Sequence, residues 1–111
     1  MGYYTYYELE IKDSATGQPA SDADDIIEAL RQDEYAAHAL SDDGGSNNSC
    51  KWYDHEADLR AFSKKYPDKL FVLSGEGEES GDLWRKYFVN GKCQTAEAVI
   101  TFAEFDPGKL G

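Results

Sequence analysis

The chain has 111 residues and a formal charge of −11, with 22 Asp and Glu against 11 Lys and Arg. Acidity of that size repels nucleic acid and anionic membranes and speeds encounter with cationic partners, so direct nucleic-acid binding and membrane association are not expected. With 41% hydrophobic and 14% aromatic residues the composition is that of a folding chain, not a disordered acidic tail. Its length fits one domain over residues 1–111.

No apolar run approaches the roughly 18 to 20 residues that cross a bilayer. The N-terminal MGYYTYYELE lacks a basic region followed by an apolar stretch. Cys50 and Cys93 stand alone and far apart, unlike the disulfide framework of a small secreted scaffold, which points to a reducing cytoplasm.

Alternation from Tyr3 to Lys12 predicts a first strand. Tyr3, Thr5, Tyr7, Leu9 and Ile11 face a core, and Tyr4, Tyr6, Glu8, Glu10 and Lys12 face away. Gly17 and Pro19 break the period. Ser21 and Asp24 then have capping spacing, acids fill the first turn where the helix dipole favours them, and Ala23, Ile26, Ile27 and Leu30 supply a buried stripe. Asp33 to Leu40 reads as a second helical piece. Ser41 to Ser49 holds no apolar residue and predicts an exposed, mobile loop.

Cys50 to Tyr53 reads as a short edge strand, ending at Asp54, the N-cap of the next helix. Leu59, Phe62 and Tyr66 give that helix its apolar face, Lys64 and Lys65 suit its C-terminal end, and Pro67 stops it. Leu70 to Ser74 is a short apolar run suited to a central strand. An acidic turn, Gly75 to Asp82, precedes a strand from Leu83 to Val89. Asn90-Gly91 is a strong hairpin signal and leads into a last strand from Lys92 to Phe102. The tail from Glu104 should fray. The predicted fold is α+β, with two helices on one face of a mainly antiparallel sheet of four to five strands.

Residues 52–92, WYDHEADLRAFSKKYPDKLFVLSGEGEESGDLWRKYFVNGK, contain a helix ending in Tyr66-Pro67, a strand, a Gly/Glu turn, Trp84 and Asn90-Gly91. This segment resembles small uncharacterised proteins of bacteriophages and prophages, and its layout is similar to the YubB-type ferredoxin-like domain. The resemblance implies a ferredoxin-like fold and a phage origin. It implies no chemistry, and it does not extend to residues 1–51.

Several groups of residues could carry function. In the Gly75 to Asp82 turn, Glu76, Glu78, Glu79 and Asp82 are oxygen ligands of the kind Ca²⁺ or Mg²⁺ takes, but the spacing is not that of an EF-hand. The turn reads either as solvated or as a contact for Arg and Lys. Acids recur along the chain from Glu8 and Glu10 through Asp22, Asp24, Asp25, Glu28, Asp33 and Glu34 to Asp54, Glu56 and Asp58. Displayed in a row beside stacking aromatics, they would suit a cationic groove built for nucleic acid. Scattered, they are only helix-start acids and solubilising charge.

His38, Cys50, His55 and Cys93 contain enough ligand types for one zinc ion, but no Cys-x-x-Cys or His-x-x-x-His pair supports it, so no cofactor is expected. A Cys93 or serine nucleophile with His38 or His55 as base has no local signature, nor do Glu76 and Glu78 as an acid/base pair, so an enzyme is not expected. On the strand from Leu83, one face carries Trp84, Lys86 and Phe88 and the other Leu83, Arg85, Tyr87 and Val89. Both are substantially apolar, which suits one covered face and one contact with a partner or a second copy.

The expected function is an acidic, phage-type inhibitor. It would bind a basic surface of a host nucleic-acid-binding defence protein, such as a CRISPR effector nuclease, and mimic its nucleic acid. The expected contact residues are Glu8, Glu10, Glu76, Glu78, Glu79 and Asp82 for charge and Tyr4, Tyr6 and Trp84 for apolar anchoring. The alternative is a non-catalytic module that sequesters a small molecule or metal, with Arg31, Arg60, Arg85, Lys86 and Lys92 available for an anionic ligand.

Overall fold

Residues 4–52, 54–78, 81–99 and 101–111 are described in the computed structural model. Tyr3 of the predicted first strand, Tyr53 of the predicted edge strand and Glu79 of the acidic turn lie outside the described residues. Among the described residues, four strands form one antiparallel sheet: β1 (Thr5–Asp13), β2 (Lys69–Gly77), β3 (Leu83–Val89) and β4 (Lys92–Glu97), in the order β1-β2-β3-β4. Three α-helices, α1 (Ala23–Leu30), α2 (Glu34–Ala39) and α3 (His55–Ser63), all fall between β1 and β2 in the chain, and a short 3-10 turn, Pro107–Lys109, lies in the C-terminal tail.

The class is α+β, as the residues predict. The order is not the β-α-β-β-α-β of a ferredoxin-like fold, because the helices interrupt the strands once and β2, β3 and β4 then follow as a meander. The expected pair of helices is corrected to three. Glu34–Ala39 forms a separate helix because the Asp33 carboxylate caps it, accepting from the Tyr35 N–H at 2.9 Å.

Burial in β1 follows the predicted period: Thr5, Tyr7, Leu9 and Ile11 are buried, while Tyr6, Glu8 and Glu10 are exposed. The register sets Leu9 beside Leu73, Ile11 beside Phe71 and Phe71 beside Phe88. These side chains share one apolar cluster with Ile26, Ile27 and Leu30 of α1, Ala36 and Ala39 of α2, and Leu59 and Phe62 of α3. Each large side chain buried there contributes about 1.5–3 kcal/mol relative to exposure.

Helix ends depart from the simplest capping pattern. α1 starts after Asp22 with no side-chain cap, so the predicted Ser21 cap does not form, although Asp24 and Asp25 remain in the first turn. α3 ends at Ser63, four residues before Pro67. The Ser63 hydroxyl donates to the Arg60 carbonyl at 2.9 Å and accepts from the Gly91 N–H at 2.8 Å, joining α3 to the β3–β4 turn. Tyr66 lies beyond the helix, yet its ring packs 5.4 Å from that of Phe62 and 6.3 Å from that of Phe71.

The strands also differ in length from the prediction. β2 runs on through Gly77 because Thr5 to Tyr7 on one side and Leu83 and Trp84 on the other give Gly75, Glu76 and, from β1, Gly77 partners. β4 stops at Glu97, and Ala98 makes the last ladder bond, its N–H donating to the Leu83 carbonyl at 3.0 Å where β3 begins. Asn90 and Gly91 have φ of +48° and +82°, as a two-residue type I′ hairpin requires.

Residues 41–49 do not hang free, contrary to expectation. The Leu9 N–H donates to the Gly44 carbonyl at 2.7 Å, and Thr5 and Cys50 exchange two bonds of 3.1 Å, so this segment covers the outer edge of β1. Edge N–H and C=O groups beside a core need such partners. Cys50 makes only this bridge and does not begin a strand. Among the described residues no helix is long and apolar enough to cross a membrane.

Candidate protein-binding face

Successive strand residues point to opposite sides of the sheet, and the ladder carries this alternation from strand to strand. On the Tyr6 side, Tyr6 pairs with Glu76 and Glu76 with Leu83. In the next row Glu8 pairs with Ser74, Ser74 with Arg85 and Arg85 with Ala96. A shallow groove of about 470 Å³ runs over Tyr6, Glu8, Ser74, Glu76, Leu83 and Arg85. A second, of about 300 Å³, lies among Tyr4, Tyr6, Ser49, Gly77 and Glu78. Of the predicted contact residues, Tyr4, Tyr6, Glu8, Glu76 and Glu78 therefore meet at one end of the sheet, with Glu10 two residues further along β1.

These carboxylates are little neutralised. Among the described residues Glu8, Glu76 and Glu78 form no ion pair, and Glu10 approaches Lys12 only at 3.9 Å. Cations sit at the far end of the same side: Lys12 opposite Leu70 and Lys92 opposite Val89. Two cations lie inside the acidic half: Arg85, and Lys51, whose ammonium sits 5.0 Å over the Tyr4 ring. The Tyr6 side is thus polarised along the strands.

The remaining acids do not extend this patch. Asp24 and Asp25 are exposed on α1, Asp22 pairs with Lys69 at 3.7 Å, and Glu56 on α3 is held by Arg60 at 3.2 Å and Lys86 at 3.3 Å. Lys86 and Arg60 hold the Glu56 carboxyl below its ordinary range, the Lys86 hydrogen bond being the larger cause. The row of acids read along the chain is divided among several elements.

Trp84 borders the groove that holds Tyr6 and Glu8, but its ring does not join those of Tyr4 and Tyr6. It projects to the Tyr7 side, half-buried, with its ring stacked on that of His55 at 5.1 Å and 20° and edge-on to Tyr7 at 6.0 Å. Trp84 and Asp82 border a different hollow, of about 440 Å³, with His55, Lys86, Thr95 and Glu97.

His55 is fixed in one tautomer by its neighbours. Its Nδ1 lies 2.8 Å from the Trp52 carbonyl, which can only accept, so Nδ1 carries the proton. Nε2 is left to accept from the Lys86 ammonium at 2.7 Å. Burial holds His55 below its ordinary pKa, and the Lys86 charge adds to this, outweighing the opposite pull of the Trp52 carbonyl, Glu56 and Asp58. Beneath it, Trp52 donates its indole N–H to Asp58 at 2.8 Å. This cluster joins α3 to β3 across 31 residues of sequence, and no local motif marks it.

Among the described residues no three His, Cys, Asp or Glu side chains converge to hold a metal ion. The zinc set in particular is dispersed: Cys50 lies against β1 at one margin of the sheet, Cys93 is in β4 at the other, and His38 is on α2. Both cysteines are free, and burial raises the Cys50 thiol above its ordinary pKa. His55 has both ring nitrogens engaged. No protein-family profile, curated protein or solved structure matches the chain.

Proposed function

We propose that this protein is an acidic inhibitor that occupies a basic surface of a nucleic-acid-binding protein, in the manner of phage proteins directed at host defence nucleases such as CRISPR effectors. In this reading the helices share the Tyr7 side of the sheet and leave the Tyr6 side open. Tyr4 and Tyr6 supply flat apolar contact, and Glu8, Glu10, Glu76 and Glu78 supply charge. Two carboxylates at alternate positions of one strand, such as Glu8 and Glu10, stand about 7 Å apart. The mechanism is competition for a cationic groove.

The observation that carries the reading is the Tyr6–Glu76 cross-strand pair beside Glu8, on an exposed surface where, among the described residues, neither carboxylate forms an ion pair. Unneutralised surface charge contributes little to a fold and much to encounter with an opposite charge. The test is capture from a bacterial lysate at low and high salt, followed by elution with single-stranded nucleic acid. The reading expects a basic protein that is released by salt and by nucleic acid. Capture that neither affects would contradict it.

A second reading is favoured by one observation, the hollow of about 440 Å³ beside His55, Trp84 and Lys86. It would serve a sequestering module without catalysis. Native mass spectrometry separates the two, since a retained small molecule supports the module and not the inhibitor.

A further inference from the structure

The two margins of the sheet, β1 and β4, are finished differently. Along β1 the outward groups of Thr5, Leu9, Ile11 and Asp13 are bonded to Cys50, Gly44, Ala20 and Gln18 at 2.7–3.1 Å. At β4 the bond from the Ala98 N–H to the Leu83 carbonyl sets the ladder, so Lys92, Gln94 and Ala96 bond to β3 while the N–H and C=O of Cys93, Thr95 and Glu97 point outward. Among the described residues no segment pairs with them. An uncovered edge of this kind is a template for another strand.

The chain leaves this edge as an apolar tail. Val99, Phe102, Phe105 and Leu110 are 86%, 91%, 76% and 71% exposed, the largest apolar exposures in the molecule's described residues. The tail cannot readily double back onto the β4 from which it departs. Val99 and Thr101 are β-branched and favour extension, and Pro107-Gly108, the residues suited to a turn, come only near the far end.

We propose that residues 98–111 of one copy seat on the β4 margin of a second copy, so that two chains associate by exchanging tails. The reach is sufficient, because a tail of this length, fully extended, spans about 45 Å at roughly 3.3 Å per residue. Area supports the same partner. Phe102 and Phe105 together remove on the order of 300 Å² from water when covered. Counting the receiving surface and both tails, the two phenylalanines alone give about 1,200 Å², the lower bound of specific interfaces. The acidic side chains themselves lie on β1 and β2, while the groove beside them reaches Ala96, Glu97 and Ala98 where the tail departs.

Sedimentation of the full chain at micromolar concentrations tests the exchange, with two variants made to break it at separate points. Phe102→Ser with Phe105→Ser removes the tail anchors. Thr95→Pro removes one outward N–H and leaves the bonds to β3 in place, as proline on an edge strand can. Wild type is expected to sediment as a dimer and each variant as a monomer with an unchanged far-UV circular dichroism spectrum. A monomeric wild type would overturn the proposal, as would a dimer that survives in either folded variant. Should Thr95→Pro unfold the chain, the double tail variant decides alone.

Discussion

Trp84 lies across Gly75 on the neighbouring strand, so close that a Cβ at position 75 would come within 2.2 Å of the indole ring. The glycine is what allows the indole to lie flat on the sheet between Tyr7 and His55. Gly75→Ala should therefore cost about 1–3 kcal/mol, the usual penalty for overpacking. Urea denaturation of Gly75→Ala in wild-type and Trp84→Leu backgrounds checks the cause, since the penalty should largely vanish once the indole is gone. An equal penalty in both backgrounds would place the strain elsewhere.

Protonating His55 removes the acceptor that holds Lys86 and sets two cations face to face. Its folded pKa lies below the ordinary value of about 6.5, so the unfolded chain takes up the proton first as pH falls. The stabilisation is complete above about pH 6.5 and is lost on acidification from there toward the depressed folded value. The groups facing the ring are Lys86 and Trp84 on β3, Glu56 and Asp58 on α3, Tyr7 on β1 and the Trp52 carbonyl. Glu56 is also depressed, but its contribution is present above its own unfolded value of about 4.5 and is lost at lower pH. Denaturation midpoints between pH 7 and 5 should fall in wild type and stay flatter in His55→Gln; equal slopes would remove His55 as the cause.

The buried indole N–H of Trp52 has Asp58 as its acceptor. Asp58→Ala leaves that donor unsatisfied and should cost about 1–3 kcal/mol. Asp58→Asn, which keeps an acceptor oxygen, should lose less. Chemical denaturation of the two variants reads the difference directly.

Thiol accessibility follows from burial. Cys50 is packed beside Tyr7 with its thiol pKa raised, whereas Cys93 is half-buried on the β4 margin. A thiolate-selective reagent under native conditions should modify Cys93 first and reach Cys50 only on unfolding. Peptide mapping of the modified protein identifies which cysteine reacted.

Much of the fold was legible because it is written in local periods. The alternation of β1, the Leu83–Val89 strand and the Asn90-Gly91 turn depend on neighbours in sequence, and the structure has them where the residues place them. The β1-β2-β3-β4 order of the strands and the count of three α-helices among the described residues were not legible. Strand order depends on which edges meet, and although Asp33 to Leu40 reads as helical, only the Asp33 cap makes it a helix separate from α1. The segment from Ser41 to Ser49 misleads by composition, since its backbone, not its side chains, is what the edge of β1 uses.

The candidate site divides in the same way. Tyr6, Glu8 and Glu10 share a side by simple alternation, and Glu76 joins them through the β1–β2 register. Trp84 reads as an anchor on the same surface because a lone strand does not say which of its two apolar faces meets the core. Its partner Gly75 lies nine residues away across the acidic turn and carries no side chain to signal the contact.

The central claim is that the position of the acidic groups at the Tyr6 end, and not the net charge alone, makes the binding surface. The decisive measurement compares two charge-matched variants against the captured basic partner: Glu8→Gln with Glu76→Gln on the sheet, and Asp24→Asn with Asp25→Asn on α1. Both raise the net charge by the same amount. The account predicts that the sheet variant weakens binding by about tenfold or more while the helix variant stays close to wild type. Equal losses in the two would contradict it, because overall charge would then suffice.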